Sequence, residues 1–236
     1  MKIHSDDFYY MYGKHAVLAA LKNNARKIHA IYTNKDTIKI IPESYKNKIE
    51  YVENQFFHSI LRSDAVHQNI AIKVSKLPNN KLEDLNSKED FKLVLLDQIS
   101  DPHNLGAIIR NAACFNFAGA IIQSNHSPEE SGALAKAASG SLEMVKLYRV
   151  SNIATCIDNL KKMGYWVIGL DGSGKDILNK NMLSGKICIA LGSEGSGLRR
   201  LTKEKCDIIA RININPEMES LNVSCASAVA FYETFR

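Results

Sequence analysis

Leu93-Val94-Leu95-Leu96-Asp97-Gln98-Ile99-Ser100-Asp101-Pro102-His103-Asn104-Leu105-Gly106-Ala107-Ile108-Ile109-Arg110 carries the reading of the fold. Leu93–Leu96 is a short unbroken apolar run, the pattern of a strand buried on both faces. After a polar loop, Asp101-Pro102 has the character of a helix start. Leu105, Ile108, Ile109 and Ala112 then fall at i, i+3, i+4 and i+7, one apolar stripe of a helix predicted over 105–115. Strand, polar loop and amphipathic helix in that order form the repeating unit of a parallel α/β sheet.

The unit recurs toward the C-terminus. Strands are predicted at 120–122, 145–150, 166–170, 187–191 and 208–212, and helices at 133–138, 152–163, 199–205 and 224–235. The expectation is a mainly parallel sheet covered on both faces, with any ligand beyond the carboxyl ends of the strands. Upstream lies a smaller α/β pattern: helical spacing at Ala16, Val17, Ala20 and Leu21, strands at 28–32, 49–52 and 70–74, and helical stretches at 43–48 and 54–63. The polar run from Lys76 to Asp90, broken by Pro78-Asn79-Asn80, reads as a linker. The division is therefore 1–75, a linker at 76–90, and 91–236.

The 236 residues are 45% hydrophobic and 23% charged, with 5 prolines and 13 glycines, which excludes disordered and collagen-like chains. No apolar run reaches the ~18 residues of a membrane span, and the first residues lack a signal-peptide pattern, so a cytoplasmic protein with no membrane partner is expected. Cys114, Cys156, Cys188, Cys206 and Cys225 are scattered without a CxxC pair, and all five read as structural rather than as disulfide or zinc ligands. Residues 1–80 hold 12 Lys and Arg against 7 Asp and Glu, whereas 81–236 hold 18 of each, so the whole +5 charge sits in the first third. A polyanion meeting that segment and a solvated lysine-rich surface are both compatible with this asymmetry.

Three loops stand where chemistry is expected. The first runs from Asp97 to Gly106, with Arg110 and Asn111 off the apolar stripe of its helix, and Asp101 and Asn104 both available as helix caps. The second, Gly192-Ser193-Glu194-Gly195-Ser196-Gly197, lacks both the GK[ST] ending of a phosphate loop and the GxGxxG dinucleotide fingerprint. Its central carboxylate suits a ligand that is neutral or cationic nearby. The third, Ser220-Leu221-Asn222-Val223-Ser224, precedes the last helix, with Asn222 or Ser224 able to cap it.

Taken together and in order, these loops resemble the three motifs of the SpoU, or TrmH-like, ribose 2′-O-methyltransferases of the SPOUT superfamily. The resemblance spans nearly the whole chain. Tyr12-Gly13-Lys14-His15-Ala16-Val17 and His67-Gln68-Asn69-Ile70-Ala71 are similar to that family's small L30e-like substrate-binding domain. Within the family, Ala133-Leu134-Ala135-Lys136-Ala137-Ala138-Ser139-Gly140 is most similar to bacterial enzymes that methylate a guanosine ribose of 23S ribosomal RNA. The resemblance implies a trefoil-knotted catalytic domain, S-adenosyl-L-methionine as methyl donor, RNA as partner, no metal and a homodimer. Ile212-Asn213-Ile214-Asn215-Pro216-Glu217 departs from the family pattern, lacking its Ile-Pro and glycine. A transfer-RNA ribose methyltransferase and a non-catalytic RNA-binding assembly protein remain the alternatives.

By the same similarity, Gly192, Ser193, Gly197, Ile212 and Leu221 hold the cofactor, and Arg110, Asn104, Glu194, Asn222 and Ser224 serve catalysis. Guanidinium stays protonated below a pKa of about 12, so Arg110 is read as anchoring the acceptor phosphate and steadying a developing alkoxide rather than as a base. Glu194 is the carboxylate of the set able to receive a proton. His103 invites a general-base reading, yet the motif accommodates it equally as a structural or RNA-contacting imidazole.

Overall fold

The computed structural model describes residues 8–78, 80–85 and 92–236. They form two compact units: the described residues up to Pro78 together with Glu129–Met144, and those after Pro78 up to Pro128 together with Val145–Arg236.

The first unit contains β1 (Phe8–Tyr12), α1 (Lys14–Lys22), β2 (Ile28–Thr33), β3 (Ile49–Tyr51), α2 (Asn54–Ile60) and β4 (Ile70–Ser75). Its sheet runs β1-β4-β2-β3, with β4 antiparallel to both neighbours and β3 parallel to β2. The strand β1 went unassigned in the sequence because its aromatic run Phe8-Tyr9-Tyr10-Met11-Tyr12 does not alternate in polarity; its place is set by pairing with β4. The stretch 43–48 is 3-10 rather than α-helical.

The segment Glu129–Met144 contributes α4 (Gly132–Ala138) to this unit. Ser131 caps the helix, its hydroxyl accepting from the Leu134 amide at 3.3 Å. Gly132 lets the helix start against the Tyr10 carbonyl and Tyr12 ring, where a Cβ would collide. The dominant fastening is ionic. The Arg26 guanidinium, fully buried, pairs with Glu130 at 2.8 Å and Glu143 at 2.6 Å, and donates to the Ser75 carbonyl at 3.0 Å. The Tyr9 phenol is held neutral, pushed well above its ordinary range by burial and then by the Glu130 charge. Sequence reading placed all of 91–236 in one domain; this buried triad groups 129–144 with the first unit instead, a long-range pairing of charges that no local pattern announces.

The second unit comprises β5 (Lys92–Asp97), α3 (Pro102–Cys114), β6 (Gly119–Gln123), β7 (Lys146–Val150), α5 (Ile153–Lys162), β8 (Trp166–Leu170), β9 (Asp176–Ile177), β10 (Ile187–Gly192), α6 (Arg200–Lys205), β11 (Ile208–Arg211) and α7 (Val223–Glu233). Its seven strands are all parallel, in the order β7-β6-β5-β10-β8-β11-β9. The apolar stripe of α3 is fully buried at Leu105, Ile108, Ile109 and Ala112, and each large side chain so buried stabilises by roughly 1.5–3 kcal/mol. The two-residue β9 is too short to leave a periodic signal.

Burial pushes the Cys156 and Cys206 thiols up to about 12 and Cys188 well above its usual value, so these three are unreactive core groups. Of the predicted linker, Lys76 pairs with Glu129, whereas the Asn80 amide donates to the Leu147 carbonyl and Leu82 is buried in the second unit's core. Asn79 and residues 86–91 lie outside the described residues. No helix among the described residues is long and apolar enough to cross a membrane.

Removing Arg26 leaves two buried carboxylates uncompensated, and breaking a buried pair this way costs about 3–5 kcal/mol. Arg26→Met is therefore expected to lower the urea midpoint strongly, with Arg26→Lys intermediate; a midpoint unchanged in Arg26→Met would mean the triad contributes nothing to stability.

Candidate active site

The strand order reverses between β5 and β10. From β5 the sheet grows to β6 and β7, while β10 leads on to β8, β11 and β9. Asp97 and Gly192 face each other in register at the carboxyl ends of this central pair, which is where a parallel sheet opens a crevice for ligands. The first and second loops leave the sheet here.

Of the two candidate caps for α3, Asp101 takes the role: its carboxylate accepts from the His103 and Asn104 amides at 3.1 and 3.2 Å. The Asn104 side chain is thereby free to reach across to the second loop, donating to Glu194 Oε2 at 3.2 Å. At α7 the cap is Asn222, whose Oδ1 accepts from the Ser224 amide at 2.9 Å and hydroxyl at 2.6 Å. Its Nδ2 turns the other way, to Asn104 Oδ1 at 3.1 Å and Glu194 Oε2 at 3.3 Å. One amide thus ends a helix and joins the cluster. Asn111 locks the helices together, donating to the Ser224 carbonyl and the Ser227 hydroxyl, both at 2.9 Å.

Four of the five expected catalytic residues, Asn104, Glu194, Asn222 and Ser224, are therefore in one hydrogen-bonded cluster. Arg110 is not. It lies six residues beyond Asn104 on α3, roughly 9 Å along the axis at 1.5 Å per residue, with an exposed side chain that makes no hydrogen bond or ion pair among the described residues. His103 is exposed, and its backbone amide donates to the capping Asp101 rather than to the cluster.

Beside the cluster is a cavity of about 430 Å³ that all five expected cofactor residues line: Gly192, Ser193, Gly197, Ile212 and Leu221. The loop folds back on itself at its base, the Gly197 amide donating to the Ser193 carbonyl at 3.0 Å. Any side chain at Gly192 would strike the Gly197 carbonyl and Leu198 amide, which explains glycine there. Apolar walls come from Leu170, Leu191 and Leu221, and charge from Asp171, Glu194 and Glu219 against Lys203. Three carboxylates facing one ammonium favour a cationic ligand, and glycine-lined main chain suits a flat heteroaromatic group read by backbone donors and acceptors.

Two carboxylates escaped the sequence reading. Asp171 follows β8 at the same edge of the sheet, pairs with Lys203 at 2.8 Å and accepts from the Leu198 amide. Burial alone would raise its pKa, but hydrogen bonds from Lys203, Ser173 and Leu198 outweigh that and hold it below the ordinary range. Its position at a strand's carboxyl end, in Leu170-Asp171-Gly172-Ser173-Gly174, was the available signal. Asp97 is fully buried and accepts from Arg199 Nε at 2.7 Å and the Thr202 hydroxyl at 2.6 Å, anchoring the far end of the glycine-rich loop. A second cavity, of about 660 Å³ and mostly polar, shares Ser193 and Glu194 with the first and is otherwise lined by Gln98, Ser100, Asn125 and His126, among others. Glu194 stands between the two.

Residues 92–232 match the family model described as the SpoU rRNA Methylase family, and residues 10–79 match that described as RNA 2′-O ribose methyltransferase substrate binding. The chain is 34% identical to the 23S rRNA (guanosine-2′-O-)-methyltransferase RlmB of Coxiella burnetii, over 96% of this chain and 94% of that protein. It is 32% identical to the enzyme of the same name from Escherichia coli, over 96% and 97%. Among solved structures, the SpoU methyltransferase AviRb from Streptomyces viridochromogenes, in complex with AdoMet, superposes with a TM-score of 0.80 at 20% identity, covering 96% of this chain and 89% of that one. A TrmH/SpoU tRNA modifying enzyme from A. aeolicus superposes over 61% of this chain and 73% of its own, with a TM-score of 0.54 at 20% identity. With the match running across the parallel sheet and all three loops at the switch point, the chain belongs to the SpoU rRNA methylase family.

Proposed function

We propose that this protein transfers a methyl group from S-adenosyl-L-methionine to a ribose 2′-hydroxyl of RNA, with a guanosine of 23S ribosomal RNA as the acceptor. The observation that carries the reading is the single carboxylate, Glu194, shared by a glycine-lined cavity and a polar one and held by Asn104 and Asn222. Relatives named as 23S rRNA guanosine methyltransferases, matching 96% of the chain, support the choice of acceptor. The match of residues 10–79 to a substrate-binding model, and the A. aeolicus tRNA modifying enzyme's coverage of only 61% of this chain, favour this over the transfer-RNA alternative.

The cofactor lies against Gly192, Ser193, Gly197, Ile212 and Leu221. When bound, it supplies an electrophilic methyl on a sulfonium, whose positive charge suits the acidic lining. The ribose enters from the polar cavity on the other side of Glu194. Transfer would form the ribose O–C bond and break the C–S bond, leaving its electron pair on sulfur, and Glu194 would take the hydroxyl proton. Asn104 and Asn222 fix the orientation of that carboxylate, and Ser224 fixes Asn222. Arg110, exposed on α3 and outside that cluster, is assigned to the acceptor phosphate. Most of the acceleration comes from holding donor and acceptor in line.

The same proposal includes RNA recruitment by residues 1–75, joined through 76–90 to a catalytic region at 91–236 into which α4 is inserted as part of the first unit. It also includes the trefoil knot, a cytoplasmic location and a homodimer. The dimer draws support from Val229, Tyr232 and Phe235, large apolar side chains that α7 and the chain end leave exposed.

Calorimetry with chelator present is expected to find one S-adenosylmethionine site per chain in the wild type and none in Gly192→Ala, whose circular dichroism stays native. Arg110→Ala is expected to cut methyl transfer to RNA on the order of 100-fold or more at unchanged cofactor affinity; a parallel loss of affinity would move Arg110 to the donor side. Sedimentation is expected to give twice the 26.3 kDa chain mass, and Tyr232→Asp is expected to shift it to the monomer.

A further inference from the structure

The first unit has an open cavity of about 1000 Å³, where the loops leaving β2 and β3 meet the residue that opens β4. We infer that this cavity receives one unstacked base of a single-stranded RNA segment, with Tyr51 as its stacking platform; the inference rests on the RNA-modifying reading above.

Tyr51 ends β3 and lines the cavity with its side chain 65% exposed as a residue, in a unit whose other aromatic rings are largely packed. An aromatic face left in water at a cavity mouth is what a base needs, and stacking is tolerant of which base it is. The remaining wall combines apolar Ile38 and Val52 with polar side chains, a mixture that suits the flat face and polar edge of a base better than a phosphate. Asp36 and Glu53 outnumber Lys35 there, so a phosphate is repelled, whereas carboxylates accept from the imino and amino N–H groups of a base edge. Asn54 and Asn69 add amides that can donate or accept.

The wall is also stiff, which keeps the cavity open without a ligand. Asn34 Oδ1 accepts from the Asp36 and Thr37 amides at 3.1 and 3.0 Å. The buried Thr37 hydroxyl sits 2.8 Å from that same oxygen and 2.7 Å from the Asn69 carbonyl, linking the two loops. Gln68 and Asn69 hold consecutive left-handed conformations, φ +58° and +59°, which are costly for residues other than glycine. The Asn69 amide donates to His67 Nδ1 at 3.1 Å, and the His67 ring is stacked on Phe57 with centroids 4.4 Å apart. Backbone held in such a conformation by surrounding contacts is the mark of a preformed site.

The flanks provide what the cavity lacks. Lys39 is exposed on the β2 side just outside the lining, within the segment that carries the chain's positive excess. It meets a phosphate next to the captured base, and the base itself enters between the loops.

The test measures binding of the full chain to a single-stranded oligoribonucleotide carrying 5-iodouridine, across a salt series, together with photocrosslinking and methyl transfer to transcribed 23S RNA fragments. Tyr51→Ala is expected to weaken binding by roughly 5- to 100-fold without changing the salt slope, since no phosphate contact is lost. Tyr51→Phe and Tyr51→Trp are expected to bind as the wild type does, and the crosslink is expected on the peptide containing Tyr51. Affinity in Tyr51→Ala equal to wild type, or a fall in its salt slope by a whole phosphate contact, overturns the base-pocket assignment; if methyl transfer by the wild type persists, the enzymatic reading stands. Absence of both RNA binding and methyl transfer in the wild type overturns the two together.

Discussion

Side chains of three loops, as many as 118 residues apart in the sequence, meet at one carboxylate. Glu194 accepts from the side-chain amides of Asn104 and Asn222, and those amides also bond to each other. These charge-assisted bonds add to the side-chain anchors at Asp97, Asp101 and Asp171 in fixing the loops. The asparagines reach this point in two ways: Asp101 caps α3 in place of Asn104, whereas Asn222 caps α7 with its own oxygen and leaves its nitrogen available. The loop bearing Glu194 lines both the glycine-lined cavity and the polar one, and it is pinned at its far end by buried Asp97 through Arg199 and Thr202.

Much of this was legible in the chain. Buried strands are unbroken apolar runs and surface helices carry a stripe, so the parallel sheet from β5 to β11 could be read directly, and the carboxyl-end rule then selected the three loops. Both choices of cap, Asp101 or Asn104 and Asn222 or Ser224, were open on sequence alone, because any of these side chains can bond a free amide; only the distances decide. Arg26 with Glu130 and Glu143 left no trace, since ion pairing between residues more than a hundred positions apart has no period. Asp171 and Asp97 were passed over for the related reason that a carboxylate after a strand reads equally as a turn residue.

The two units divide charge differently. Around the glycine-lined cavity the acidic groups prevail, which suits a cationic ligand over an anionic one. The first third of the chain holds the positive excess, yet the cavity beside Tyr51 is locally acidic. Long-range attraction and close recognition are thereby assigned to separate atoms: lysines draw in a polyanion at distances up to about a Debye length, and neutral or acidic groups read what arrives. Non-specific anions are attracted by the first and rejected by the second.

The chain passes between its two units after Pro78, after Pro128 and after Met144. A gene rearrangement that joined a foreign N-terminal module at residue 78 would bring in a new sheet but keep the resident α4, with Glu130 and Glu143 now facing whatever replaced Arg26. The exchangeable piece is not contiguous in the gene, so a single recombination event cannot transplant it intact.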